Sequence, residues 1–277
     1  MEAGEKMEVL VVGAGAMGAW FARLFKKWGW GVWLTDVDQR KSRNLAKELG
    51  VKTGEEILPQ ADLVLVAVPI SSTPAVLREI CGRMKKGALL MEISSVKEQV
   101  VSTMLELKSN PVELVALHPL FGPGAESLRG ERFAFIPIRE GKAFGEVRGR
   151  LEGEGAVLIK TKAEEHDSAM ARTQALTHLL LLCYLRLRER GKLQTHLSEA
   201  FLELAKAVLS GSPSVYYEIQ THNRFSPKIR EEFLQTWQSL EELIRKDNKK
   251  EFEKIFKKLK EEFGEEVEIA YRRLYAS

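Results

Sequence analysis

The feature that most constrains this chain is the run Val9-Leu10-Val11-Val12-Gly13-Ala14-Gly15-Ala16-Met17-Gly18. Four apolar, mostly β-branched residues lead into glycines spaced G-x-G-x-x-G. Such a run reads as a strand buried on both faces of a parallel sheet. The three glycines serve different ends. Gly13 permits a tight turn, Gly15 lets a pyrophosphate approach the backbone, and Gly18 lets the next helix pack close to the strand. That helix starts near Ala16 and carries Trp20, Phe21, Leu24 and Phe25. Its free N–H groups and partial positive charge suit an anion. Gly13, Ala14, Gly15, Ala16, Met17 and Gly18 are therefore the expected dinucleotide contacts.

A second apolar run, Val32-Trp33-Leu34-Thr35, ends at Asp36, 18 residues beyond Gly18. A carboxylate at this distance accepts hydrogen bonds from an adenosine ribose. It repels a 2′-phosphate and points to NAD, while Arg40 and Lys41 close by keep NADP open. Strand patterns recur at 63–68, 88–93, 112–117, 133–138 and 156–159, with helical patterns between them. The expected fold is α/β, a doubly wound Rossmann-type parallel sheet. Ligands of such sheets bind beyond the carboxyl ends of the strands. Val68, Pro69 and Ser94 fall there and are expected to face the cofactor, as Ser95 and His118 are expected to face its partner.

From Ala163 onward strand patterns cease and helical ones take over. The expected organisation is a dinucleotide-binding domain, 7–162, and an all-α substrate and dimerisation domain, 163–277. Asp167 is positioned to cap a helix running to about Arg190, and 249–275 reads as one last helix. The uncharged stretch Ala175–Leu185 predicts a helix buried on nearly all sides, with the surplus apolar surface used in a homodimer. Charged residues make up 29% of the chain and nearly cancel at +3, which excludes nucleic acid and membrane surfaces as expected partners. Cys81 and Cys183 build no disulfide or metal framework, so a reducing cytoplasm is expected. No signal peptide is recognisable in the polar start, and Leu179–Leu182 with its neighbours is too short to span a bilayer.

His118 is the leading candidate base. It follows a strand and precedes the rigid Pro119-Leu120-Phe121-Gly122-Pro123-Gly124 loop. An imidazole titrates near neutrality and can accept a hydroxyl proton as hydride leaves the same carbon. On position alone it serves equally well as a ring bonded to a strand-end carbonyl. Ser94 and Ser95 can orient a substrate hydroxyl or cap the next helix, and Lys97 can attract a substrate carboxylate. Asp167, Met170, Gln174 and His178 share one helix face. Gln174 and His178, polar in an apolar helix, either face a cleft or pair in the core. His166, His196 and His222 have no ligand-like spacing, so no metal is expected.

Together these segments resemble the prephenate dehydrogenases of tyrosine biosynthesis over nearly the whole chain. The matching parts are the glycine fingerprint, Val68-Pro69-Ile70, Ser94-Ser95-Val96-Lys97, His118-Pro119-Leu120-Phe121-Gly122-Pro123, and Glu165-His166-Asp167 through Gln174-Ala175-Leu176-Thr177-His178. Tyr216, Glu218, Ile219, Gln220 and Asn223 resemble a later helical motif. The resemblance implies oxidative decarboxylation of prephenate to 4-hydroxyphenylpyruvate by NAD, or the same reaction on arogenate. It implies that His118 accepts the proton of the ring hydroxyl, that Ser95 bonds that hydroxyl and His118, and that Lys97 and His178 place substrate and cofactor. Relatives often bind the ring carboxylate with an arginine where this chain has Ala207, so one of Lys206, Arg172 and Arg224 is expected to replace it. With no chorismate mutase segment and no regulatory tail in the sequence, tyrosine control is expected only by competition in the active site. The competing expectations are a β-hydroxy acid or imine dehydrogenase of the same architecture, or a non-catalytic NAD-binding protein.

Overall fold

In the computed structural model residues 6–188, 191 and 193–275 are described. The chain divides into two compact units, one through Ser168 and one from Ala169. The first unit opens with β1 (Glu8–Val12), α1 (Ala16–Lys27), β2 (Gly31–Thr35), α2 (Gln39–Leu49) and the short β3 (Lys52–Thr53). It continues with β4 (Leu63–Val66), α3 (Thr73–Cys81), β5 (Leu89–Glu92), α4 (Glu98–Glu106) and β6 (Glu113–Pro119). It closes with β7 (Arg132–Arg139), α5 (Lys142–Gly153) and β8 (Val157–Lys160). The strands form one sheet in the order β3-β2-β1-β4-β5-β6-β7-β8. The winding reverses between β1 and β4, where doubly wound sheets leave a crevice beyond the strand ends.

Alternation along each strand feeds two separate cores. Val9, Val11, Leu63, Leu65, Val115 and Leu117 pack with Phe21 and Phe25 of α1 and with Phe144 and Leu151 of α5. Leu10, Val64, Val66, Leu114 and Ala116 pack on the other face with Leu77 and Ile80 of α3 and with Met104 of α4. This explains the continuous apolar strands: both faces are covered. One pairing departs from the expected parallel sheet, since β6 and β7 run antiparallel, with His118 opposite Ala134. The segment between them has no helix, and a parallel return needs a crossover. The loop after β6 is tied to α1, because Trp20 Nε1 donates to the Ala125 carbonyl at 2.8 Å and its ring meets Phe121 edge-on.

The helix expected from Asp167 to Arg190 is three pieces: α6 (Ala163–Met170), a π-helical turn (Ala171–Leu176) and α7 (Thr177–Leu187); Arg190 lies outside the described residues. Asp167 sits inside α6 rather than before it. In the second unit Gln220 Nε2 donates to the Ala175 carbonyl at 2.6 Å, which gives a partner to a backbone group of the wide turn. Then come α8 (His196–Val208), α9 (Pro213–His222), α10 (Ser226–Arg245), α11 (Lys249–Phe263) and α12 (Glu266–Tyr275). The single helix expected over 249–275 breaks at Gly264, whose φ of 53° is left-handed. The expected all-round burial of 175–185 is also not found: Leu181 is buried, Leu179, Leu180 and Leu182 are half-buried, and Cys183 is exposed. Among the described residues no helix is long and apolar enough to cross a membrane.

Candidate active site

The glycine turn has the geometry that an anion requires. Gly13 has a φ of +108°, and a Cβ there would fall 2.3 Å from the Ala67 carbonyl oxygen; one on Gly18 would fall 2.0 Å from the Gly13 oxygen. These two glycines are demanded by the protein itself. Gly15 differs, since a Cβ there would meet only open space. Its bareness leaves room for an outside group at the start of α1, where no side chain caps the helix and no acid occupies the first turn. Asp36, next after β2, accepts from Ala14 N–H at 2.7 Å and from Asp38 N–H at 2.9 Å. It braces the turn and keeps lone pairs for hydroxyl donors. Val68 lies against Gly13, and the Pro69 carbonyl starts α3 by accepting from Thr73. The residues present therefore fit a dinucleotide.

Three strands along the same sheet edge lies His118, inside β6 rather than after it and only 3% exposed. Its Nδ1 is 2.8 Å from His166 Nε2, and His166 Nδ1 is 2.7 Å from Asp167 Oδ1. A carboxylate only accepts, so His166 carries its proton on Nδ1, and its Nε2 accepts from His118 Nδ1–H. The Nε2 of His118 is left with its lone pair. That nitrogen has no hydrogen-bond partner among the described residues and is not sealed from solvent. Burial first, then His166 and the Lys97 ammonium, hold His118 well below the ordinary histidine pKa. Burial also lowers His166, against the pull of Asp167. A neutral imidazole with an open lone pair is a base.

The structure corrects several expected roles. Lys97 does not reach for a substrate: it is fully buried, and its Nζ donates to Glu92 Oε1 at 2.5 Å and to the Leu117 carbonyl at 2.7 Å. A buried ammonium needs such a partner. Ser94 turns inward, with Oγ 3.0 Å from Thr73 Oγ1 and its N–H on Glu92 Oε2. Neither serine caps α4. Asp167 does so from another helix, accepting from Lys97 N–H at 2.8 Å and Glu98 N–H at 2.9 Å. Ser95 makes no hydrogen bond to His118, whose Nδ1 is taken by His166; the Ser95 hydroxyl is half-buried and has no partner among the described residues. Sequence gives His166 and Glu92 no role, and gives Asp167 only that of capping its own helix. The available signal was the His166-Asp167 dipeptide, but 48 residues separate His166 from His118 until the fold joins them.

In the second unit, Gln174 Oε1 and His178 Nδ1 are buried with no partner among the described residues. The His178 ring meets Tyr216 edge-on at 4.5 Å, and both line an apolar groove of about 310 Å³ with Leu182, Val208 and Gln220. Gln174 lies in the π turn, a feature frequent at functional sites. Orphaned polar atoms of this kind call for a ligand. The expected cations are otherwise engaged: Lys206 pairs with Glu203 at 2.5 Å on the surface of α8, and Arg172 with Glu232 at 3.0 Å. Arg224 stacks on Phe225.

An anion-binding turn and a buried neutral base on one sheet edge are equipped to oxidise a carbon that carries a hydroxyl. Fold and site thus define the class of nucleotide-binding dehydrogenases with a helical second unit. Comparison narrows the class: a family model described as the prephenate dehydrogenase nucleotide-binding domain matches residues 21–160, and one described as its dimerization domain matches 162–258. The chain belongs to the prephenate dehydrogenase family. It is 30% identical over 272 residues to a probable arogenate/prephenate dehydrogenase of Methanocaldococcus jannaschii, covering 93% of this chain and 61% of that protein's length. It is 28% identical to a 4-amino-4-deoxyprephenate dehydrogenase of Streptomyces pristinaespiralis, covering 97% and 96%. Its fold is similar to that of the A. aeolicus prephenate dehydrogenase solved with hydroxyphenyl propionate and NAD+, with a TM-score of 0.76, 18% identity, and 96% and 99% of the two chains covered.

Proposed function

We propose that this chain catalyses the NAD-dependent oxidative decarboxylation of prephenate to 4-hydroxyphenylpyruvate, in tyrosine biosynthesis, as a homodimer. The observation that carries the reading is His118, buried, neutral, and oriented by His166 so that its Nε2 lone pair stays free. The turn from Gly13 to Gly18 and Asp36 would hold NAD, the Asp36 carboxylate disfavouring the 2′-phosphate of NADP. The chemistry that NAD would supply there is a hydride acceptor for the ring carbon that carries the hydroxyl. His118 Nε2 takes the hydroxyl proton, so that oxygen becomes a carbonyl. The ring carboxylate then leaves as CO2, the electrons of the broken C–C bond restore the aromatic ring, and the phenolate oxygen recovers the proton from His118. No net proton is released. We assign Ser95 to the same substrate oxygen, and the orphaned atoms of Gln174 and His178 to a polar ligand of the second unit. Cys81 and Cys183, both free, suit a reducing cytoplasm.

The test is NADH formation with prephenate and with arogenate, each offered with NAD and with NADP. Turnover of prephenate with NAD is expected. His118→Asn is expected to retain NAD affinity and to lose about 10²- to 10⁴-fold in kcat. No turnover of either substrate, or an undiminished kcat in the variant, would overturn the reading.

A further inference from the structure

Given the reaction proposed above, the geometry points to His166 as a positioning residue that relieves His118 of the charge of the proton it takes up, in a relay that ends on His166 and is held by Asp167, the α6 residue that caps α4. The need for it comes from burial. A proton arriving at His118 Nε2 creates an imidazolium in a site that is 3% exposed and already faces the Lys97 ammonium. Burial and a like charge both disfavour that cation. Among the described residues the one polar contact made by the ring is Nδ1 to His166 Nε2, at 2.8 Å.

The charged and titratable groups around the pair come from three places. β5 supplies Glu92, the start of α4 supplies Lys97, and α6 supplies Asp167 beside His166. Glu92 and Lys97 satisfy each other at 2.5 Å. The Asp167 carboxylate lies 2.7 Å from His166 Nδ1, close enough to stabilise a positive charge on that ring. Its oxygens are fixed by the N–H groups of Lys97 and Glu98, so it cannot swing away from His166.

Two protons move in the step. The substrate O–H bond breaks and Nε2–H forms on His118, while Nδ1–H of His118 breaks and Nε2–H forms on His166. The positive charge then lies on His166, 2.7 Å from the Asp167 carboxylate. When CO2 has left, both transfers reverse and the phenolate oxygen regains its proton. Asp167 is an orienting counter-ion and takes no proton.

His166→Gln retains an oxygen able to accept from His118 Nδ1–H but takes up no proton, whereas His166→Phe removes both functions. NAD affinity, read by fluorescence titration, is expected to stay within about twofold in both, which reports on folding independently of turnover. The expected loss in kcat is about 10-fold for His166→Gln and about 100-fold for His166→Phe. Because His166 lowers the His118 pKa, the acid limb of kcat/KM is expected to move to higher pH in His166→Gln. In mixtures of H2O and D2O, wild-type rates are expected to bow, reporting two protons in motion, and those of His166→Gln to fall on a line. A wild-type kcat in His166→Gln, or a straight wild-type line, would overturn the relay. Nitrogen-15 NMR of the free protein is expected to find His118 protonated on Nδ1; protonation on Nε2 would overturn the relay whatever the substrate. Lack of turnover with the Nδ1 tautomer intact would count against the proposed reaction alone.

Discussion

At the scale of single residues, two buried histidines and one half-buried one set how this protein responds to acid. His118, His166 and His178 are all pushed below the ordinary histidine value, with burial the first cause in each. An unfolded chain titrates these rings near pH 6.5, so below that pH it binds protons that the folded chain refuses. Their contribution to stability is complete above pH 6.5 and is lost as pH falls through the folded values. Calorimetry is expected to show Tm declining from pH 7.5 to pH 5.5, with a shallower decline in His166→Gln. The same shift keeps His118 a competent base below pH 6.5. His118 was legible as a candidate because a lone histidine between an apolar strand and a proline-rich loop is conspicuous in sequence. Lys97 was not, because nothing local reveals that a lysine will be buried. Its burial depends on Glu92, five residues back, pointing inward from a strand whose other side chains are apolar.

At the scale of elements, caps and turns decide the site more than the strands do. α4 borrows its cap from α6, through Asp167, and this places the carboxylate beside His166. The π turn has a comparable role in the second unit. Gln220 holds its Ala175 carbonyl, and Arg230 in turn donates to both the backbone and side-chain oxygens of Gln220. Gln220→Leu would remove that hydrogen bond and loosen the turn that carries Gln174. The expected cost is about 1–3 kcal/mol in urea unfolding. A wild-type unfolding midpoint would show that the turn holds without this bond. Strands and most helices were readable from periodicity, and α2 stops at Gly50 as its glycine suggests. The π turn was not, because the apolar spacing across residues 171–176 remains helical. The antiparallel β7 was likewise hidden: sequence marks a strand but not its direction, which follows from the missing crossover helix.

At the scale of the whole molecule, the second unit leaves much apolar surface uncovered in a single chain. Along α11, Phe252, Phe256, Leu259 and Phe263 form a stripe of which Phe256 is 65% exposed, and Trp237 on α10 is 62% exposed. Monomers rarely carry patches of this extent, which supports the proposed homodimer. Light scattering is expected to give twice the 31.3 kDa chain mass, and Phe256→Glu with Leu259→Glu is expected to yield monomers at micromolar concentration. An unchanged mass would place the dimer contact elsewhere. The surplus of apolar helix faces was legible in sequence; which residues stay uncovered was not, since that depends on how α8 to α12 pack. The Trp20 indole has a reach beyond its size. Through one N–H it works as a strut between the first helix and the span behind His118, so the glycine-rich end and the loop that follows the reactive ring share one support.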